Sequence, residues 1–133
     1  MQLAVNPTDE EILSFVEQWI DRLSSGDFDG AYRMTAHDPY YAWTPELISL
    51  TIAGYDLPEP RSDGRVFAVT DRASAVGRSP RRRVDRDSVP PGSFAFVEYD
   101  LPLNGEWSDL TATFRLERRE NHTEAILEEI HVF

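Results

Sequence analysis

The chain contains no cysteine and no lysine. Without cysteine there are no disulfides, no thiolate nucleophile and no zinc site built on sulfur, which leaves His37, His122 and His131 as the imidazole ligands. Without lysine, Schiff-base chemistry through a side-chain amine is excluded. Positive charge is scarce altogether: 13 basic residues, all arginine, stand against 24 acids, for a formal charge of −11. Such a field repels phosphate backbones, which argues against nucleic acid and favours a basic protein as partner. No stretch approaches the roughly 18 consecutive apolar residues of a membrane span. The opening Met1-Gln-Leu-Ala-Val-Asn-Pro has neither the basic flank nor the apolar run of a signal peptide. A soluble, cytoplasmic protein with no membrane partner is expected. The Gly-x-Gly-x-x-Gly, Walker, Ser-x-x-Lys and His-Glu-x-x-His patterns are missing too, and no cofactor or metal is expected. What is present, 133 residues with 41% hydrophobic content, suits a single domain over 1–133.

Helical periodicity governs the first half. Thr8, with Glu11 three residues on, forms a capping box, and Ile12, Phe15, Val16, Trp19, Ile20 and Leu23 recur at helical spacing until Gly26 ends the run. Asp27 reads as the N-cap of a short second helix with Phe28, Ala31, Tyr32 and Met34 on its apolar side, broken at His37-Asp38-Pro39. Thr44-Pro45-Glu46 opens a third helix that carries Leu47, Ile48 and Ile52 as far as Gly54. The proline-bounded connection Tyr55-Asp-Leu-Pro-Glu-Pro60 follows, and beyond it the period becomes two. A first strand is expected at 66–70. The run Arg78-Ser-Pro-Arg-Arg-Arg-Val-Asp-Arg-Asp-Ser-Val-Pro-Pro-Gly92 reads as an exposed loop at about 78–92. Strands at about 94–101, 108–117 and 124–132 complete the chain. Helices first and antiparallel strands last make the fold class α+β, with N-terminal helices packed on one face of a curved antiparallel C-terminal sheet.

Asn104-Gly105 between two alternating runs marks a hairpin. A two-residue turn there opposes Leu103 with Glu106 and puts Ala95, Val97, Tyr99 and Leu101 on one apolar face with Leu110, Ala112 and Phe114. Glu98, Asp100, Asp109 and Arg115 share the opposite face with Phe94 and Phe96, and Asp100 falls across from Asp109. A four-residue loop through Trp107 keeps those faces and shifts the pairing. The link 118–122 leaves the last register open, and branched Ile126, Ile130 and Val132 favour an inward even-numbered face with Glu129 and His131 outward.

Three groupings carry candidate chemistry. His37-Asp38 beside Tyr40, Tyr41 and Trp43 could hold an acid–base pair among aromatic walls, where an apolar surface raises a carboxyl pKa; the plainer reading is a capped turn with aromatics closing the end of the core. Arg78, Arg81, Arg82, Arg83 and Arg86 would suit a phosphate or carboxylate partner, but Asp85 and Asp87 interleave and no stacking aromatics lie nearby, as in a solvated charge run. The carboxylates Glu98, Asp100, Glu106 and Asp109, with Glu128 or Glu129 near, lack the compact Asp-x-Asp-x-Asp-Gly loop of a calcium site. As a recognition surface for a basic protein they need no ligand geometry.

The order of elements resembles the nuclear transport factor 2-like fold, a curved sheet wrapped around helices as a cone. The likeness runs from the capped first helix ending in Leu23-Ser-Ser-Gly-Asp-Phe-Asp-Gly-Ala-Tyr32, through two short helices, to the C-terminal meander. Within that superfamily, Trp43-Thr-Pro-Glu-Leu, the hairpin Val97-Glu-Tyr-Asp-Leu-Pro-Leu-Asn-Gly-Glu-Trp-Ser-Asp-Leu-Thr111 and the ending Glu128-Glu-Ile-His-Val-Phe133 are similar to bacterial immunity proteins, which bind and block a partner toxin. The resemblance implies a non-enzymatic module that meets a basic toxin domain through Glu98, Asp100, Glu106 and Asp109, with Trp107 as an apolar anchor, and it implies a homodimer through the open sheet face. The alternative is a small-molecule enzyme or ligand-binding protein of the polyketide cyclase or ketosteroid isomerase type, with Trp19, Tyr32, His37, Asp38, Tyr40 and Trp43 around the cone's mouth. Ketosteroid isomerase would require a tyrosine from the first helix, an aspartate after the second and a protonated aspartate on a strand. Asp38 stands in the second place, but the first helix offers Phe15 and Trp19, and the hairpin turns Asp100 off the apolar face. Charge is unevenly spread: residues 1–60 hold 2 arginines against 11 acids, 61–92 hold 8 against 4, and 93–133 hold 3 against 9.

Overall fold

The computed structural model describes residues 3–55 and 66–132. Helix α1 spans Asp9–Ser24. Its capping box is reciprocal: the Glu11 amide donates to the Thr8 hydroxyl at 3.1 Å and the Thr8 amide to the Glu11 carboxylate at 2.9 Å. The acids Asp9, Glu10 and Glu11 fill its positive first turn and Arg22 its last. Asp27 caps α2, Phe28–Met34, by accepting from the Gly30 amide at 2.9 Å; Thr44 caps α3, Pro45–Ala53, by accepting from the Leu47 amide at 3.0 Å. The second helix ends at Met34, three residues short of His37, because Thr35 is already extended. Asp56–Pro60 of the expected connection lie outside the described residues.

Four antiparallel strands follow in the order β1 (Arg82–Asp85), β2 (Ala95–Leu103), β3 (Glu106–Arg118) and β4 (Thr123–Val132), and the sheet does not close. Helices α1 and α3 cover one face. The stripe Ile12, Phe15, Val16, Trp19, Ile20 and Leu23 packs into a core with Val97, Tyr99, Leu101, Phe114, Leu116 and Leu127, and Trp19 meets Phe114 edge to face at 5.0 Å. The expected apolar face of the hairpin is therefore buried as a set, Ala95 through Leu101 with Leu110 through Phe114.

Register departs from expectation at three places. Residues 66–70 form no strand; Val69 makes a single bridge to Leu103. The fourth strand lies instead inside the arginine run, where Arg82 opposes Tyr99 and Val84 opposes Val97. It was concealed because a short edge strand is kept soluble by charge, so it carries none of the apolar alternation of an interior strand. In the hairpin the turn opposes Leu103 with Glu106, but a bulge then shifts the ladder and sets Asp100 against Thr111 rather than Asp109. Ser108 holds the bulge, its hydroxyl donating to the Leu101 carbonyl at 2.7 Å and accepting from the Leu110 amide at 3.2 Å. A second bulge, opposite Thr113 and Phe114, inserts Glu128 into β4. Ahead of it the odd residues Ala125 and Leu127 face the core, and beyond it Ile130 does. Ile126 is thereby placed beside Arg115 on the face away from α1, where it is nonetheless buried, and Val132, opposite Leu110, is 50% exposed. Glu129 and His131 face outward, opposite Thr113 and Thr111.

The turn has Asn104 at φ 51° and Gly105 at φ 86°, the pair of left-handed residues that a tight hairpin of this twist needs. A Cβ at Gly105 would meet nothing, so the cost of adding one is conformational alone. Gly105→Ala is expected to lower the unfolding free energy by about 1–2 kcal/mol in urea, with an unchanged denaturant slope. Asn104→Gly relieves the left-handed backbone but removes the side chain that accepts from the Ala68 amide at 3.0 Å and donates to the Val66 carbonyl at 3.3 Å, and is expected to cost about 1 kcal/mol.

Candidate functional site

Outward side chains of β2 are Phe96, Glu98 and Asp100, and those of β3 include Thr111, Thr113 and Arg115. Asp100 is only 1% exposed. One of its oxygens accepts from the Arg81 amide at 2.8 Å and faces the Arg78 guanidinium at 3.5 Å; the other accepts from the Thr111 hydroxyl at 2.7 Å. Glu98 sits between Arg81 at 3.2 Å and Arg83 at 3.4 Å. Asp109 accepts from the Tyr55 hydroxyl. Glu106 is exposed beside the turn, and Trp107 is half-buried against the core. The five residues expected to form an acidic partner surface are thus dispersed. Asp100 is interior, Glu98 is compensated by arginine, and Asp109 is tied to the end of the helical layer. The arginine run that read as a solvated loop is what occupies these carboxylates: Arg82 also reaches Glu17 on α1 at 3.0 Å, and Arg86 reaches Asp9 at 2.8 Å.

The aromatic grouping forms a clasp rather than a pocket mouth. Trp19 is fully buried in the core, with no hydrogen-bond partner for its indole nitrogen among the described residues. The His37 ring stacks on Tyr32 at 3.8 Å, and its Nε2 lies 2.7 Å from the Tyr32 carbonyl, which can only accept; Nε2 therefore carries the proton. Asp38 accepts from the Tyr40 amide at 2.9 Å and pairs with Arg115 at 3.0 Å, and these contacts, in that order, hold its carboxyl below the usual aspartate range. Tyr41 donates to the Glu128 carboxylate at 3.2 Å and the Trp43 indole to the Glu128 carbonyl at 2.9 Å. Between them Ala42 is held at φ 53°, a strained position for a residue with a Cβ. Tyr40 is 85% exposed. Residues 36–43 thus lie along β4, where the Ala36 amide donates to the Ala125 carbonyl at 2.8 Å. Arg115 gathers Asp38, Glu117 and Glu128 at 3.0, 3.0 and 2.7 Å. Burial opposes its charge, but those three carboxylates outweigh burial and raise its pKa.

Two further recesses open on the surface, the first of them bordered by Trp107. A cleft of about 410 Å³ is lined by Glu17, Asp21, Arg72, Arg82, Tyr99 and Trp107. At its floor the Tyr99 hydroxyl donates to Glu17 at 2.6 Å and accepts from Arg82 at 3.2 Å. Burial, then Glu17, push the Tyr99 phenol up from its ordinary value. A groove of about 570 Å³ runs between α2 and α3, with Phe28, Pro45 and Leu50 as its apolar lining and Asp27, Asp29 and Glu46 around them. The sequence pattern did contain a signal for this groove. The apolar residues of α3, Leu47, Ile48, Leu50 and Ile52, are not confined to one side, and a nine-residue helix against one sheet covers only part of such a surface. Among the described residues no group of His, Asp and Glu is arranged to hold a metal ion, and no helix is long and apolar enough to cross a membrane. Comparison with protein-family models, with curated proteins and with solved structures finds no match to this chain.

Asp38 and Asp100 give separable predictions. Because the folded Asp38 carboxyl is depressed, its contribution to the clasp is complete above the unfolded value near pH 4 and is lost as pH falls through the lower folded value. The Trp43 indole N–H resonance is expected to move in that acid window, and Asp38→Asn to move it at neutral pH; a resonance indifferent to both rules out the clasp. Asp100→Ala strands the Arg81 amide and leaves the Thr111 hydroxyl only the longer bond to the Asp109 carbonyl at 3.2 Å, and is expected to cost roughly 1–3 kcal/mol in denaturant unfolding.

Proposed function

We propose that the protein is a non-enzymatic binding module on a nuclear transport factor 2-like cone, of the bacterial immunity type, which neutralises a basic partner by occluding it. The element order and the one-sided packing of the helices on an antiparallel sheet support the fold. The partition of charge carries the function. Glu98, Asp100, Glu117 and Glu128 of the sheet meet the chain's own arginines, whereas Asp29 and Glu46 on the helical layer have no ion-pair partner among the described residues. Uncompensated negative charge therefore faces outward from the helices. It steers a basic partner and is weakened by salt. A second reading keeps a ligand role for the cleft at Tyr99, where Arg72 and Arg82 converge on Glu17 at 3.7 and 3.0 Å.

The neighbouring open reading frame supplies the partner to test. Its product, coexpressed with this chain, is expected to form a stoichiometric complex that relieves growth inhibition and dissociates as ionic strength rises. A product that neither inhibits growth nor binds overturns the binding reading. Arg72→Ala with Tyr99→Phe is expected to leave complex formation intact; its loss would favour the cleft.

A further inference from the structure

We infer that the groove between α2 and α3 is the docking site for a cationic amphipathic helix of the partner. The inference rests on the binding reading above and says where, and through what chemistry, the partner is held.

Three observations converge. Only Ile48 and Ile52 of α3 are buried; Leu50 is 69% and Leu47 38% exposed, three residues apart and so adjacent on the helix surface. Leu50 continues the apolar lining of Phe28 and Pro45, so an apolar stripe leads out of the groove. Two carboxylates without ion-pair partners among the described residues, Asp29 and Glu46, stand one on each helix beside that lining, while Asp27 is already paired with Arg22 at 2.9 Å. An anionic occupant is disfavoured by the same geometry. The helix-terminal amides that would attract it are taken, Gly30 by Asp27 and Leu47 by Thr44.

The complement of an apolar floor between two unpaired acids is a helix with leucine-type side chains on one stripe and lysine or arginine flanking it. Nine residues of α3 extend about 13 Å, so the occupant's contact face is two to three turns with anchors at i, i+3 or i+4, and i+7. Apolar anchors set the seat and the flanking cations set the direction, since Asp29 and Glu46 lie on different helices.

The probe is a synthetic peptide of leucine and lysine, about three turns long and patterned as an amphipathic helix, titrated into isotope-labelled protein. Saturable amide shifts are expected at Gly26, Phe28, Asp29, Glu46, Ser49 and Leu50. Leu50→Arg, and separately Asp29→Arg with Glu46→Arg, are expected to weaken binding about tenfold or more, with thermal unfolding unchanged in the first and slightly lowered in the second, whose two exposed acids lie in helix first turns. A peptide of the same composition with its stripe scrambled is expected to bind at least tenfold more weakly. Shifts confined to another face, equal binding of the scrambled peptide, or full affinity in Leu50→Arg overturns the site. The partner complex separates this inference from the reading beneath it. A complex unaffected by the groove variants removes the groove and leaves the binding function. Peptide seated in the groove without any partner complex removes the binding function and leaves the groove.

Discussion

A carboxylate taken almost wholly out of water must be compensated where it stands, and Asp100 is such a group in the middle of the sheet. Its side chain accepts from the Arg81 amide while its own amide donates to the Arg81 carbonyl at 2.9 Å, so a single residue of the arginine run is held from both directions. That double attachment aligns β1. One residue on, Arg82 is delivered to Tyr99 and Glu17, which ties the sheet to α1; two residues on, Arg83 falls beside Glu98. Thr111 completes the coordination from the other side, and it stands there because the Ser108 bulge has moved Asp109 out of that position. Without the bulge two aspartates would oppose each other across the ladder, an arrangement that destabilises a sheet.

The same logic recurs at the opposite end of the sheet with the signs exchanged. Arg115 is the enclosed charge there, and Asp38, Glu117 and Glu128 gather around it. The Glu128 bulge gives β4 the extra residue whose carboxylate reaches Arg115 and whose carbonyl accepts from Trp43. One bulge thus removes a like charge from opposite Asp100 and puts a hydroxyl donor there, and the other sets a carboxylate against Arg115. Tethering a polar segment to the sheet is the shared result: 78–86 at β2, and 36–43 at β4.

The helices were legible because their signals are local. Caps at Thr8, Asp27 and Thr44 lie within three residues of the amides they satisfy, and the buried stripe of α1 follows from spacing alone. The hairpin turn and the faces of β2 and β3 were legible for the same reason. What failed depended on distant partners. An Arg-Arg-Val-Asp run becomes a strand only in the presence of Glu98 and Tyr99, 15 or more residues later. Ile126 reads as core until Glu128 breaks the alternation, and nothing within the strand's own composition announces a bulge. The partners of the candidate site residues are hidden for the same reason. Asp100 and Asp38 each meet an arginine that sequence separation conceals, 22 residues away in one case and 77 in the other.

Consumption of these charges bears on which face a partner would use. Docking over the sheet's outward face means desolvating ion pairs that already satisfy one another, and a buried pair often repays its desolvation only in part. A basic partner there gains little, because Glu98 would have to release Arg81 or Arg83 to accept a new cation. At the α2–α3 groove the balance runs the other way. Asp29 and Glu46 have no ion-pair partner among the described residues to give up, and the apolar area of Leu50 removed from water would add roughly 25 cal/mol for each Å² covered. With Glu98, Asp100 and Glu128 already engaged by arginine, a basic partner would gain more from new ion pairs on the helical layer than from the sheet face.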